Sequence, residues 1–207
     1  MQDGGIRNEF NTLKAIGKHK HIIEYKEFGS KAERIQNING GQIDQVEYLA
    51  LELAHNKTIL DFLLSKRDSI GEKWTRLWFR QILSALKHMK EKEFSHLDLK
   101  SENILLDKNL LAKIADFGLS QPNGSGISKV TGSEFHKAPE ICYRHYPYSG
   151  EKADIFSLGV VLFAMNMRAF PFERVNDVIN SRKYKHFLEG NLAKFWPADP
   201  STSPEFK

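Results

Sequence analysis

The stretch that decides the fold is Ser95–Leu106, "SHLDLKSENILL", in a chain of 207 residues. Polar residues, among them the acids Asp98 and Glu102, run straight into an apolar Ile-Leu-Leu. This reads as a loop feeding a short strand over Ile104–Leu106. Asp107-Lys108-Asn109 is a turn signal and Leu111–Ala115 a second short strand, so a hairpin follows the loop. Asp98 and Asn103 lie five residues apart, with Lys100 between them. Alone, the three are either a chemical site or a polar turn, and their surroundings must decide.

Apolar residues make up 41% of the chain, charged residues 27%, and only 7 prolines interrupt it, which suits a packed core. The length fits one sizeable domain, or one large and one small lobe. The net charge of +4 is spread along the chain and is too weak to imply a nucleic-acid partner. A single cysteine, Cys142, excludes an internal disulfide and a Cys-rich metal site, and points to a reducing, cytoplasmic setting. "MQDGGIRNEF" lacks the apolar run of a signal peptide. The longest apolar run, Gly159–Met165, falls short of the roughly 18 residues of a membrane span, so no membrane partner is expected.

Ile6, Phe10, Leu13 and Ile16 recur at helical spacing and predict a helix ending near Gly17. His21–Gly29 and Val46–Leu53 read as strands able to pair antiparallel across the polar segment Lys31–Asp44. His19 and His21 fall in a polar turn. Asn56 or Thr58 caps a short helix around Ile59–Leu64. A long helix runs from Trp74 to about Glu91 with Trp78, Ile82, Ala85, Leu86 and Met89 as its buried stripe. Gln121–Ser133, rich in Gly and Ser, predicts a mobile loop. Glu151–Met167 reads as a buried helix, Val175–Leu188 as a more exposed one, and Ser203 with Pro204 and Glu205 as a helix start.

"DFG" at Asp116–Gly118 and "APE" at Ala138–Glu140 follow the loop in order, and Asp154 opens "DIFSLGV" on the buried helix. With Asp98 and Asn103 in "HLDLKSEN", this set resembles the eukaryotic-type protein kinases, whose signatures are H-R-D-x-x-x-x-N, D-F-G and A-P-E. The resemblance covers nearly the whole chain from Glu9 onward. It implies an α+β, protein-kinase-like fold: a mainly helical C-lobe with a partial N-lobe of helix C and two or three strands. Residues 1–53 would be the partial N-lobe, and 54–207 the C-lobe without its last helices.

The resemblance also implies roles. Asp98 would orient or accept the proton of the incoming hydroxyl, and Lys100 would reach the transferring phosphoryl oxygens. A lysine here resembles the Ser/Thr branch. Asn103 and Asp116 would hold Mg²⁺ against the phosphates of ATP with hard oxygen ligands. Leu51 would sit behind the adenine, the Glu52 carbonyl and Ala54 amide would read its edge, and Leu105 would form its floor. Glu9 matches the helix-C glutamate. Leu13, Tyr25, His96 and Phe117 would stack as an internal apolar spine. Ser133 keeps the hydroxyl of the family's threonine and could bond Asp98 and Lys100, whereas His136 replaces the usual tyrosine.

Three departures follow. Leu97 stands where the family usually has arginine, so activity should not depend on phosphorylating Ser120, Ser125, Ser128 or Thr131. The Gly-rich loop and the phosphate lysine have no room before Glu9, and Glu140 lacks its late arginine, so both ends read as cut within a longer domain. The expected function is an ATP-dependent protein serine/threonine kinase acting on a protein hydroxyl, weakly active as this chain alone. The alternative is a pseudokinase or scaffold that binds partners through the same fold.

Overall fold

The computed structural model describes residues 5–31, 35–36, 42–43, 46–66, 70–124, 126–144, 146–172, 181–196 and 203. Helix α1, Ile6–Ile16, buries Thr12, Leu13 and Ile16 and stops at Gly17, whose positive φ of 71° turns its N–H back to the Leu13 carbonyl. Ile6, the first residue of the expected stripe, is instead exposed. Phe10 stacks on Phe28 at 4.5 Å and meets Tyr25 edge-on, docking α1 on the strands that follow. Those are β1 (Tyr25–Lys31), β2 (Ile35–Gln36), β3 (Gln42–Ile43) and β4 (Val46–Leu51). β1 pairs antiparallel with β4, as expected, with a register shift between Tyr25 and Glu27; β2 pairs with β3.

The first strand begins later than the sequence suggests, because His21–Ile23 are drawn elsewhere. Ile22 and Ile23 are almost fully buried, and Ile23 N–H donates to the Ile114 carbonyl while Ile114 N–H donates to His21. His21 lies in the expected turn, closed by Ile22 N–H on the His19 carbonyl, but it is buried there, with Nδ1 against the Ala112 carbonyl at 2.9 Å. β4 likewise stops at Leu51, since Leu53 turns out to solvent.

Helix α2 (Ile59–Ser65) starts at Thr58, which forms a capping box with Asp61; Asn56 instead donates to the Asp107 carbonyl. Helix α3 (Glu72–Glu91) buries all five residues of its predicted stripe, and Trp78 donates through Nε1 to the Leu110 carbonyl at 2.8 Å. β5 (Phe94–Ser95) leads into the loop, a 3₁₀ turn at Ser101–Asn103, and the hairpin β6 (Ile104–Leu106) and β7 (Ala112–Ile114). β8 (Gln121–Pro122) pairs with β5. A second 3₁₀ turn (Glu134–His136) precedes the short α4 (Pro139–Cys142), then α5 (Gly150–Met167), α6 (Arg182–Leu188) and α7 (Leu192–Phe195).

One apolar cluster runs from Leu13 and Ile16 through Trp78, Ile82 and Met89 to Ile104, Ile114, Phe117 and Leu158, so α1, α3, the hairpin and α5 share a core. A second cluster joins Leu97 to Ile127, Ala138, Ile141, Tyr148 and Ala153. It corrects the mobile-loop expectation for Gln121–Ser133. Gln121 and Pro122 are in a strand, and Ile127 is buried and exchanges two backbone bonds of 3.0 Å with Tyr148. One buried apolar side chain, Ile127, is enough to pin its part of a polar segment when a bridging partner is waiting at Tyr148. Ser125, the start of the expected helix at 175–180, and Pro204 with Glu205 lie outside the described residues. Ser203 bonds Glu72 through its N–H and its hydroxyl.

Candidate active site

The loop after β5 is held from below by α5. Asp154 is buried and accepts from His96 N–H at 2.7 Å and Leu97 N–H at 2.8 Å. Burial pushes its carboxyl up to about 7 against those two donors. Leu97 has φ of 67°, a left-handed backbone that costs on the order of 1–3 kcal/mol in a non-glycine residue and persists only where its surroundings over-determine it. Asp154 fixes its amide, and the second apolar cluster holds its side chain. His96 is fully buried, and burial lowers its pKa, so the ring is neutral. Its Nδ1 accepts from Asp98 N–H, leaving Nε2–H to donate to the Ala115 carbonyl at 3.0 Å.

This support delivers Asp98 into a closed network. Lys100 Nζ donates to Asp98 Oδ2 and to Ser133 Oγ, both at 2.8 Å, and Ser133 Oγ–H donates to Asp98 Oδ1 at 2.7 Å. The 3₁₀ turn swings Asn103 back, so that its Nδ2 donates to the Asp98 carbonyl at 2.9 Å and to Oδ2 at 3.1 Å. Burial raises the Asp98 pKa, but the bonds from Lys100 and Ser133 outweigh it and hold the carboxyl below its ordinary value. Asp98 is thus an anion at neutral pH with both oxygens engaged.

Asp116 sits beside this network because Ala115 N–H donates to the Asn103 carbonyl at 2.9 Å. It is exposed, with φ of 62°, and one oxygen accepts a long bond from Gly118 N–H. Phe117 is fully buried and meets His96 edge-on at 5.0 Å; Leu13 shares its cluster and Tyr25 packs against it. Glu9 Oε1 accepts from Phe117 N–H, and burial together with nearby Asp116 raises its pKa. The donor chemistry fits a hard divalent cation. The Asn103 amide nitrogen is committed, leaving its oxygen for a ligand, and the Asp116 carboxylate faces solvent.

The nucleotide-edge candidates form a separate rim, with no bond among the described residues to the Asp98 network. Leu51 and Leu105 pack on the main core, and Glu52 and Ala54 lie in the extended link from β4 to α2. Glu52 Oε1 accepts from Glu24 N–H and from Lys113 Nζ at 2.7 Å, and Glu52 N–H donates to the Glu24 carbonyl, which leaves the Glu52 carbonyl for recognition. His136 is buried, neither ring nitrogen has a hydrogen-bond partner among the described residues, and burial lowers its pKa to about 4, so it is neutral. Asn8 was missed from sequence. Its Nδ2 donates to the carbonyls of Gly118 at 2.9 Å, Ser120 at 3.2 Å and Phe117 at 3.5 Å. The available signal was an asparagine inside a helix, where its side chain competes with the backbone and needs another use.

The model of the protein kinase domain matches residues 1–207. The carbon catabolite-derepressing protein kinase of Saccharomyces cerevisiae is 35% identical over 173 residues, 82% of this chain and 25% of that protein. NUAK family SNF1-like kinase 2 of Homo sapiens is 34% identical over 170 residues, 81% of this chain and 25% of that protein. Maternal embryonic leucine zipper kinase of Danio rerio is 37% identical over 140 residues, 66% of this chain and 20% of that protein. The chain therefore spans about a quarter of the length of the curated relatives it matches.

Proposed function

Because this chain belongs to the protein kinase domain family, and by resemblance to its serine/threonine branch, we propose that it transfers the γ-phosphoryl group of Mg·ATP to a serine or threonine hydroxyl of a protein. Residues 1–53 are then part of the smaller lobe and 54–207 most of the larger. The observation that carries the reading is the network in which Lys100, Asn103 and Ser133 all converge on the Asp98 carboxylate.

In this reading the acceptor oxygen bonds to the γ-phosphorus as the bond to the bridging oxygen breaks and ADP leaves. The hydroxyl proton passes to Asp98. A carboxylate held below its ordinary pKa is a weak base, so Asp98 acts chiefly by orienting the hydroxyl and takes the proton late. Lys100 offsets charge on the phosphoryl oxygens, and Ser133 keeps both groups in register. Asn103 and Asp116 would hold Mg²⁺, which supplies charge neutralisation at the phosphates. Leu51, Leu105 and the backbone of Glu52 and Ala54 receive the adenine.

One observation favours the scaffold alternative. Among the described residues Glu9 meets no cation, only Phe117 N–H and the like charge of Asp116. Titration of the purified chain with Mg·ATP separates the two. The kinase reading expects saturable binding that Asp116→Ala weakens at least tenfold; no binding at millimolar nucleotide supports the scaffold.

A further inference from the structure

Asn8 and Glu9 are consecutive residues of α1, and both reach the Asp116–Ser120 segment, more than a hundred positions away in sequence. They address it with opposite polarity. Glu9 accepts the Phe117 N–H, while Asn8 donates to the carbonyls of Gly118 and Ser120, with a longer bond to Phe117. A position surrounded by three carbonyl oxygens calls for a donor, which the Asn8 amide nitrogen supplies. The segment they hold is under strain at its first residue, since Asp116 has φ of 62°. A non-glycine residue stays in that region only where neighbouring bonds leave no alternative. Within the segment, Ser120 N–H closes on the Phe117 carbonyl and Ser120 Oγ–H on the His96 carbonyl. These bonds close the turn on itself and on the loop; the Asn8 bonds tie it to α1.

We propose that Asn8 is a positioning residue for the metal-binding carboxylate. By donating to the Gly118 and Ser120 carbonyls it holds Asp116 in its left-handed backbone conformation and makes that pose depend on where α1 sits. The inference rests on the kinase reading, in which Asp116 holds the divalent cation. Its consequence is selective: losing the clamp weakens nucleotide binding with the metal and leaves metal-free nucleotide binding nearly untouched, because the adenine rim lies elsewhere.

The test compares Mg·ATP and metal-free ATP affinities of the wild-type chain, Asn8→Ala and Asn8→Asp, each checked for unchanged circular dichroism. Mg·ATP affinity should fall about tenfold in both variants, the worth of one or two lost neutral hydrogen bonds, with metal-free ATP within twofold. Asn8→Asp is the sharper case. It adds a negative charge near the cation, which by attraction alone would tighten metal binding, so weaker binding there reports geometry. A second measurement needs no variant. The side-chain amide protons of Asn8 should exchange with solvent at least about tenfold more slowly than those of Asn11, exposed on the same helix. Equal loss of both nucleotide forms, Mg·ATP affinity within twofold of wild type, or Asn8 exchange as fast as Asn11 would each overturn the proposal. A wild-type chain that binds no Mg·ATP overturns the kinase reading instead, and the exchange contrast still judges the clamp itself.

Discussion

Replacing Lys100 by methionine keeps the length of the side chain and removes an ammonium that donates to Asp98 Oδ2 and Ser133 Oγ, both at 2.8 Å. A hydrogen bond to a carboxylate contributes about 1.5–3 kcal/mol and one to a hydroxyl about 0.5–1.5 kcal/mol, so the variant should lose about 2–4.5 kcal/mol of stability at neutral pH. The pair is poorly placed for water to substitute, since the Lys100 side chain is 21% exposed and that of Asp98 8%. The pH dependence follows from the sign of the Asp98 shift. Held below its ordinary value, Asp98 contributes stability that is present above the unfolded carboxyl pKa and lost as pH falls through the folded one. Without Lys100 burial gains ground and the Asp98 pKa rises. The stability gap between wild type and Lys100→Met should therefore be widest near neutrality and shrink below about pH 4. Urea unfolding at several pH values measures the gap, and carbon NMR of the Asp98 carboxyl gives the direction of the titration. Phosphoryl transfer should fall about 10²–10³-fold, as for loss of one preorganised electrostatic group. A gap under 0.5 kcal/mol at pH 7, or an Asp98 titration that moves down, would refute the reasoning.

Other perturbations test other parts of the account. Leu97→Arg puts a charge into an apolar cluster where Leu97 is 4% exposed, and should cost several kcal/mol in urea unfolding; an unchanged midpoint would mean the cluster does not hold the segment. Alanine at Ser128 should leave the transfer rate within tenfold, because no cation stands at position 97 to read a phosphate there; a larger loss would restore a phosphate switch. Asp154→Asn should flatten the decline in stability that a carboxyl pushed to about 7 imposes as pH rises from about 4 to 8; parallel curves for variant and wild type would contradict it. Trp78→Ala empties a fully buried site and removes the Nε1 bond to Leu110, for an expected loss of about 3–5 kcal/mol by thermal or urea unfolding.

Much of this molecule was legible locally. The stripe of α3 and the hairpin at Ile104–Ile114 follow from spacing alone, and Asp98, Lys100 and Asn103 are close in sequence, so their meeting needed only a tight turn. What escaped depends on distant partners. Ile22 and Ile23 look like strand residues, and they are buried and bonded, but to β7 across the core and not to the neighbouring strand. Ile127 is one of two apolar residues in a polar run, and its order depends on the backbone bonds to Tyr148 and on the cluster around Leu97, Ala138 and Ile141, which lie apart from it in sequence. Leu97 read as the loss of an arginine; the fold gives it a positive task, as the anchor of that same segment. Asn8 carries no motif, and its use appears once Phe117–Ser120 is brought beside it.

The central claim is that the network around Asp98 transfers phosphate. Its most direct test incubates the chain with γ-labelled ATP, Mg²⁺ and a mixed serine/threonine peptide pool, beside Asp98→Asn. The amide keeps the shape of the carboxylate and loses its charge and basicity. The account predicts label on serine or threonine that depends on Mg²⁺ and falls at least a hundredfold in Asp98→Asn. Label that persists undiminished in the variant, or none from a wild-type chain that binds Mg·ATP, would contradict it.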